Sequence, residues 1–238
     1  MSQIGAMKGM RVVVTGASRG VGFEVAQRFL IEGAQVLGIA RNRANLAHAD
    51  RRLKAFGRSW ATLLADVADP RSATRIASAV KRRWGALDLL LNNAGVSPGG
   101  HSFATEREGD LERTLAVNVL AVHRLTRALL PLLRKGRRPR VVNVSSGAGN
   151  RHSIETSGGM SSYRASKWAL NGVTRLWANE LKGRVSVIMM DPGWVKTDMG
   201  GPSAPDSPTL SAQRAVEIAL LPHRVTGTYQ AGKREGGW

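Results

Sequence analysis

The sequence predicts a single-domain, doubly wound α/β protein: a seven-stranded parallel sheet with helices on both faces. Three observations carry this expectation. A chain of 238 residues suits one large domain. Hydrophobic runs of strand length alternate with longer helical patterns along most of it. Most of the short runs are continuously apolar rather than alternating, as strands buried on both faces require.

The first strand is Arg11 to Thr15 (RVVVT), and a glycine-rich turn leads from it into an amphipathic helix from Val21 to Glu32. Gln35 to Ala40 and Ser59 to Leu64 form strands two and three around a helix from Arg43 to Ala55. A helix from Pro70 to Trp84 precedes the fourth strand, Leu87 to Asn92. A long helical pattern over Glu106 to Leu133 leads to the fifth strand, Arg140 to Ser145. Another over Ser161 to Lys182 leads to the sixth, Val185 to Met190. Gly200 to Pro208 (GGPSAPDSP) reads as a flexible loop, part of a substrate lid over residues 200–210. A helix from Ser211 to Leu220 and a short strand from Gly227 to Ala231 follow. No internal repeat is present, so residues 1–238 form one domain.

Composition narrows the function. The chain has no cysteine, which excludes a disulfide scaffold, a thiol nucleophile and an iron-sulfur cluster. Its five histidines (48, 101, 123, 152 and 223) lack paired ligand spacing, so no catalytic metal is expected. No stretch approaches the roughly 18 unbroken apolar residues of a membrane span, and no signal-peptide pattern opens the chain; a cytoplasmic protein is expected. Lys and Arg number 35 against 17 Asp and Glu, a net charge of +18. Only Arg134, Lys135, Arg137, Arg138 and Arg140 form a dense basic cluster, and no aromatic residues interleave them as stacking platforms. Specific nucleic-acid binding is not expected, although polyanions at low salt would be attracted.

The turn GASRGVG places Gly16, Gly20 and Gly22 between a strand and a helix, with Ser18, Arg19 and Val21 among them. Glycines there let the backbone approach a dinucleotide pyrophosphate, and the free N–H groups of the helix terminus favour its charge, as in a Rossmann fold. The second strand ends in ARNR. Where a carboxylate would accept from a ribose 2′-hydroxyl stand Ala40 and then Arg41, and Arg19 reaches the same place from the glycine turn. Two guanidinium groups with no carboxylate beside them suit a 2′-phosphate, hence NADP(H).

TGASRGVG (Thr15 to Gly22), NNAG (Asn92 to Gly95), Asn118 in AVNVL, Ser146 in NVSSGAG, Tyr163 and Lys167 in YRASK, and PGWVKT (Pro192 to Thr197) occur in an order that resembles the classical short-chain dehydrogenase/reductase family. The likeness runs from the first strand to about Met199, and GWVKTDMGGPSAP is similar to its carbonyl-reductase-like members. It implies Tyr163 as general acid/base, Lys167 on the nicotinamide ribose, Ser146 orienting the substrate oxygen and Asn118 anchoring a relay water. It places Asp66 and Val67 against the adenine, and Asn92, Asn93, Ala94 and Gly95 beneath a ribose. Pro192, Gly193, Val195 and Thr197 hold the nicotinamide carboxamide. The residues agree independently. Tyr163 and Lys167, four apart on a helix, share a face, and an ammonium that close would stabilise a phenolate. Ser146 rather than Ser145 follows the strand into the crevice at the sheet's carboxyl edge.

Ser146 and Tyr163 stand further apart than is usual in that family, so the polar segment NRHSIETSGGMSS is expected as a loop at the substrate mouth, with Arg151, His152 and Ile154 as candidate contacts. Trp194 and Met199 add apolar surface suited to a hydrophobic ketone, aldehyde or secondary alcohol. The two long helices could pair across a two-fold axis into a homodimer or homotetramer, while Lys233 and Arg234 disfavour the family's subunit contact at the C-terminal edge. The leading expectation is an NADPH-dependent carbonyl reductase or alcohol dehydrogenase. An NAD-preferring dehydrogenase, and a dinucleotide-bound regulatory or nucleic-acid-binding module, are the alternatives.

Overall fold

The computed structural model describes residues 5–231 and 234–237. β1 (Arg11–Thr15), β2 (Gln35–Ala40), β3 (Trp60–Leu64), β4 (Leu89–Asn92), β5 (Arg140–Val144), β6 (Ser186–Met190) and β7 (Tyr229–Ala231) form the expected parallel sheet, in the order β3-β2-β1-β4-β5-β6-β7. An eighth strand, β8 (Arg234–Gly236), pairs antiparallel with β7. The side chain of Arg234 and the whole of Lys233 lie outside the described residues.

The continuous apolar runs are explained by two cores. Val12 and Val14 belong to one with Phe23, Phe29 and Ile188, while Val13 belongs to the other with Leu37, Leu90, Leu129 and Val187. Successive side chains of a strand point to opposite faces, so a strand covered on both sides has no polar positions. α1 (Gly20–Ile31) and α8 (Pro208–Ala219) pack together on the first face. α2 (Arg43–Leu53) lies beside β3, and α3 (Pro70–Trp84) contributes Ile76 and Val80 to the second core.

The helix expected from Glu106 begins only at Asp110. α4 (Asp110–Leu115) continues through a π-turn (Ala116–Ala121) into α5 (Val122–Leu133). Gly109 at φ 83° marks the break, and Glu106 is engaged elsewhere. The 24-residue span Asp110–Leu133 is long and apolar enough to cross a membrane by length and composition. Its Leu125, Leu129, Leu132 and Leu133 are core residues here. The segment expected as a loop after Ser146 contains α6 (Arg151–Thr156), capped by Asn150, whose side chain accepts from Ser153 N. α7 (Ser161–Glu180) then returns along the second face. α8 starts at Pro208 rather than Ser211, with Ser207 as its cap, so residues 200–210 comprise a loop and the first turn of a helix.

Charge at the amino edge of the sheet is structural. Asp88, just before β4, accepts from the backbone N, Nε and Nη2 of Arg11, each at 2.8 Å, and from Arg137 N at 2.6 Å. Arg140 is buried, and its guanidinium donates to Ser186 Oγ and to the carbonyls of Ile218, Ala219, Leu221 and Pro222. It thereby caps the negative end of α8. Burial lowers its pKa to about 10, which leaves it charged at neutrality. The densest basic segment of the sequence is thus partly a cap and a brace.

Burial raises the Asp88 pKa, but the hydrogen bonds from Arg11 and from the Arg11 and Arg137 amides outweigh it and hold the carboxyl below its usual range. Because the folded value lies below the unfolded one, the stabilisation is complete above the usual carboxylate range and is lost as pH falls through the folded value. Asp88→Asn should cost on the order of 2 kcal/mol near neutrality. The difference from wild type in urea unfolding should shrink in acid, and a difference independent of pH would contradict this assignment.

Candidate active site

The carboxyl edge of the sheet opens where β1 has β2 on one side and β4 on the other, the place at which an open parallel sheet forms a crevice. The glycine turn lies there. Gly16 adopts φ 68° and Gly20 φ 56°, conformations that side chains resist. A Cβ on Gly22 would overlap the carbonyl oxygen of Gly16 and Nδ2 of Asn93. The first turn of α1 has no acidic residue, and its N-cap, Arg19, supplies no side-chain hydrogen bond. α2, α3, α6 and α8 all have side-chain caps. A close backbone turn facing an uncapped helix terminus fits a phosphate group.

Asn93 fastens this turn: its Nδ2 donates to Thr15 O at 2.9 Å, and the amides of Asn93 and Ala94 donate to Thr15 Oγ1, each at 3.0 Å. Asn92 points the other way. Its Nδ2 donates to Thr126 Oγ1 and Asn143 Oδ1 in the buried interior, so it does not line a ribose floor as expected. On the far wall, Thr197 approaches Gly20, and Arg19 forms an ion pair with Asp198. Arg41 lies 4.0 Å from Asp66, whose Oδ1 also accepts from Ala68 N. Both arginines expected to be free of carboxylates therefore have one, at exposed positions.

Tyr163 and Lys167 share one face of α7, with Lys167 Nζ 5.6 Å from the centre of the Tyr163 ring. Lys167 is buried and donates to Val144 O, at the end of β5, at 2.7 Å. Burial pushes its pKa down to about 8 against an upward pull from Asp191. Tyr163 keeps partial exposure on the crevice, with Ser146 beside it. Its pKa is raised, first by burial and also by Asp191, while the Ser146 hydrogen bond lowers it. Desolvation is the largest of these influences on the phenol. Ser145 turns into the fold and donates to Asn171 Oδ1 at 2.6 Å, so Ser146 is the serine beside Tyr163. Asn118, in the π-turn, uses its side chain on Val96 N and O and on Ser166 Oγ.

The short chain dehydrogenase family model matches residues 10–208. The chain belongs to that family. It is 31% identical to a (+)-neomenthol dehydrogenase of Arabidopsis thaliana over 90% of this chain and 92% of that protein. It is 28% identical to carbonyl reductase (NADPH) 1 of Sus scrofa over 91% of this chain and 89% of that one. In three dimensions it is similar to an NADPH-bound carbonyl reductase from chicken fatty liver, with a TM-score of 0.89 and 27% identity over 97% of this chain and all of that one.

Around the site of this short chain dehydrogenase the substrate candidates are spread. Trp194 and Met199 are 58% and 53% exposed, and Trp194 Nε1 donates to Gly200 O. The following loop is fastened by the Val195–Asp206 bridge and the Asp206–Arg214 ion pair, with Ala204 buried. Arg151 is paired with Glu155 along α6, while His152 and Ile154 are exposed on the same helix. Pro192 O accepts from Ser211 Oγ and Arg214 Nη1, which fixes the loop to α8.

Two functional neighbours escaped the sequence reading. Asp191, immediately before PGW, accepts from Gly193 N and Tyr229 OH. Glu106 accepts from Ser162 N at 2.7 Å and Ser162 Oγ at 2.8 Å, capping α7 one residue before Tyr163 from 56 positions away. A carboxylate at that terminus satisfies an orphan amide and complements the helix dipole. Glu106→Ala should lower stability by about 1 kcal/mol and raise hydrogen exchange at Ser162 and Tyr163 before the rest of α7. Unchanged exchange there would remove Glu106 from this role.

Proposed function

We propose that the chain is an NADPH-dependent carbonyl reductase, working in reverse as an NADP-dependent secondary alcohol dehydrogenase. The juxtaposition of Ser146, Tyr163 and buried Lys167 beside the glycine turn carries this reading. The named NADPH-linked and NADPH-bound carbonyl reductases support it.

When bound, NADPH supplies the hydride, and the protein supplies orientation and a proton. Ser146 donates to the carbonyl oxygen of the substrate and draws it toward the Tyr163 hydroxyl. As the carbonyl carbon gains the hydride, its oxygen takes the Tyr163 proton, giving the alcohol. Lys167 holds the nicotinamide ribose and stabilises the phenolate, which regains a proton through a water chain. The side chain of Asn118 being engaged, that chain rests on its main-chain carbonyl. Gly16, Ser18, Gly20, Val21 and Gly22 hold the pyrophosphate. Arg19 and Arg41 exchange Asp198 and Asp66 for the 2′-phosphate, a dianion that attracts guanidinium groups more strongly than exposed carboxylates do. Val67, Asn93, Ala94 and Gly95 support the adenosine side, and Pro192, Gly193, Val195 and Thr197 the nicotinamide.

Exposed Trp194, Met199 and Ile154 favour an apolar ketone or aldehyde, with His152 at the rim and residues 200–207 closing over it. Exposed Leu111, Leu120, Trp168 and Leu176 on α4, the π-turn and α7 favour a homo-oligomer.

Tyr163→Phe should reduce ketone reduction by at least about a hundredfold while leaving NADPH affinity nearly intact, read by steady-state kinetics and by nicotinamide fluorescence. Retained turnover would remove Tyr163 from proton transfer. Against an apolar ketone, kcat/KM should be higher with NADPH than with NADH, and Arg41→Ala should narrow the ratio by raising the KM for NADPH. Equal or better use of NADH would overturn the assignment of Arg19 and Arg41.

A further inference from the structure

The chain has only two tyrosines. Both stand at this site, with one carboxylate interacting with each. Asp191 leaves β6 at the floor of the crevice, where Asp191 Oδ2 accepts from Tyr229 OH at 2.8 Å and Asp191 Oδ1 from Gly193 N at 2.9 Å. Tyr229 is buried on β7, and its amide-linked neighbour Gln230 accepts the backbone N–H of Asp191 at 2.8 Å. The carboxylate is thus fixed from two strands and one loop. It faces Gly147, whose Cβ position would lie 3.5 Å from Asp191 Oδ2, so it adjoins the turn that presents Ser146.

The geometry points to Asp191 as a positioning residue. Its carboxylate, clamped by Tyr229 and the Gly193 amide, supports the ammonium of Lys167 and the phenol of Tyr163, helping to load the site as a proton donor for carbonyl reduction. The inference rests on the reading of Tyr163 as the proton-transfer group.

The charged and titratable groups round Asp191 leave it this role. α7 presents Lys167, whose Nζ donates to the carbonyl of Val144, the residue paired with Met190 just before Asp191, and Tyr163 one helical turn earlier, while β7 presents Tyr229. The turn after β5 presents Gly147, next to Ser146. Behind Gly193, α8 and the preceding loop present Arg214 and Asp206, which are paired with each other at 2.9 Å. Lys167 has a carbonyl, not a carboxylate, as its hydrogen-bond acceptor. Asp191 acts on all three titratable neighbours in one direction, favouring protonation of Lys167, Tyr163 and Tyr229. A buried ammonium is costly without an opposite charge nearby, and a phenol beside a carboxylate holds its proton more tightly. Raising the affinity of both groups for protons extends carbonyl reduction to higher pH. It opposes the alcohol-oxidising direction, which needs the phenolate.

The two-tyrosine composition makes this directly observable. In protein labelled with [ζ-13C]tyrosine, the one of the two resonances that is lost in Tyr163→Phe reports Tyr163 without requiring turnover and with Tyr229 in place. Adding Asp191→Asn, nearly isosteric but neutral, should lower the Tyr163 midpoint, and Asp191→Glu should keep it near the parent value. If Asp191→Asn fails to fold, Asp191→Ser in the same background is expected to lower the midpoint likewise. In otherwise wild-type enzyme, Asp191→Asn should move the alkaline limb of kcat for ketone reduction to lower pH. A Tyr163 resonance that titrates alike with and without the Asp191 charge, or stays unshifted in both proteins, overturns the inference. Absence of turnover together with a shifted resonance would instead overturn the carbonyl-reductase reading and leave the electrostatic coupling standing.

Discussion

The candidate site is organised round one costly group, an ammonium buried on α7 beneath the crevice. Lys167 has lost its water, and the Val144 carbonyl replaces only part of it. Such a group persists only if the surrounding fold fixes its partners. The parallel sheet supplies the rigid acceptor, since Val144 is paired with Met190 at the end of β5. Helix α7 fixes the spacing to Tyr163, and Glu106 fixes where that helix begins. Asn118 joins the π-turn to Val96 and Ser166 on the opposite side. Each contact is local to the carboxyl edge, yet together they draw on β5, β6, α7 and the π-turn.

The two edges of the sheet divide the electrostatic work. At the amino edge, Asp88 ties the starts of β1 and β4 to the α5–β5 turn, and Arg140 ties β5 to the end of α8. Those charges are satisfied within the protein. At the carboxyl edge, the α1 terminus lacks a side-chain cap and Lys167 lacks a carboxylate hydrogen-bond partner. Groups left underserved by the fold are the ones a phosphate, a ribose or a substrate oxygen can engage. A net charge of +18 adds a long-range attraction for anionic cofactors that depends on ionic strength.

Much of this was legible in the sequence because it depends on short-range pattern. RVVVT reads as a strand buried on both faces, Pro70–Trp84 as a helix from its proline to Gly85, and the glycine turn from its spacing. Asn150 could have signalled α6, since an asparagine ahead of a helical stretch is a common cap. What stayed hidden depends on distant partners. Glu106 looks like the start of its own helix, but its oxygens are claimed by Ser162. Asn92 and Asn93 are adjacent and alike in sequence, and opposite side-chain directions along the chain send one to the interior and the other to the glycine turn. Nothing local marks Asp191, because Tyr229 lies 38 positions away on another strand. The carboxylates beside Arg19 and Arg41 were missed for the same reason.

The most direct test follows the hydrogen itself. Supplying the purified protein with NADPH carrying deuterium at C4, in each configuration separately, and a panel of apolar ketones and aldehydes should give an alcohol labelled at the former carbonyl carbon from one configuration only. Alcohol formed without label from either configuration, or no alcohol from any member of the panel, would contradict hydride transfer within the Ser146–Tyr163–Lys167 crevice.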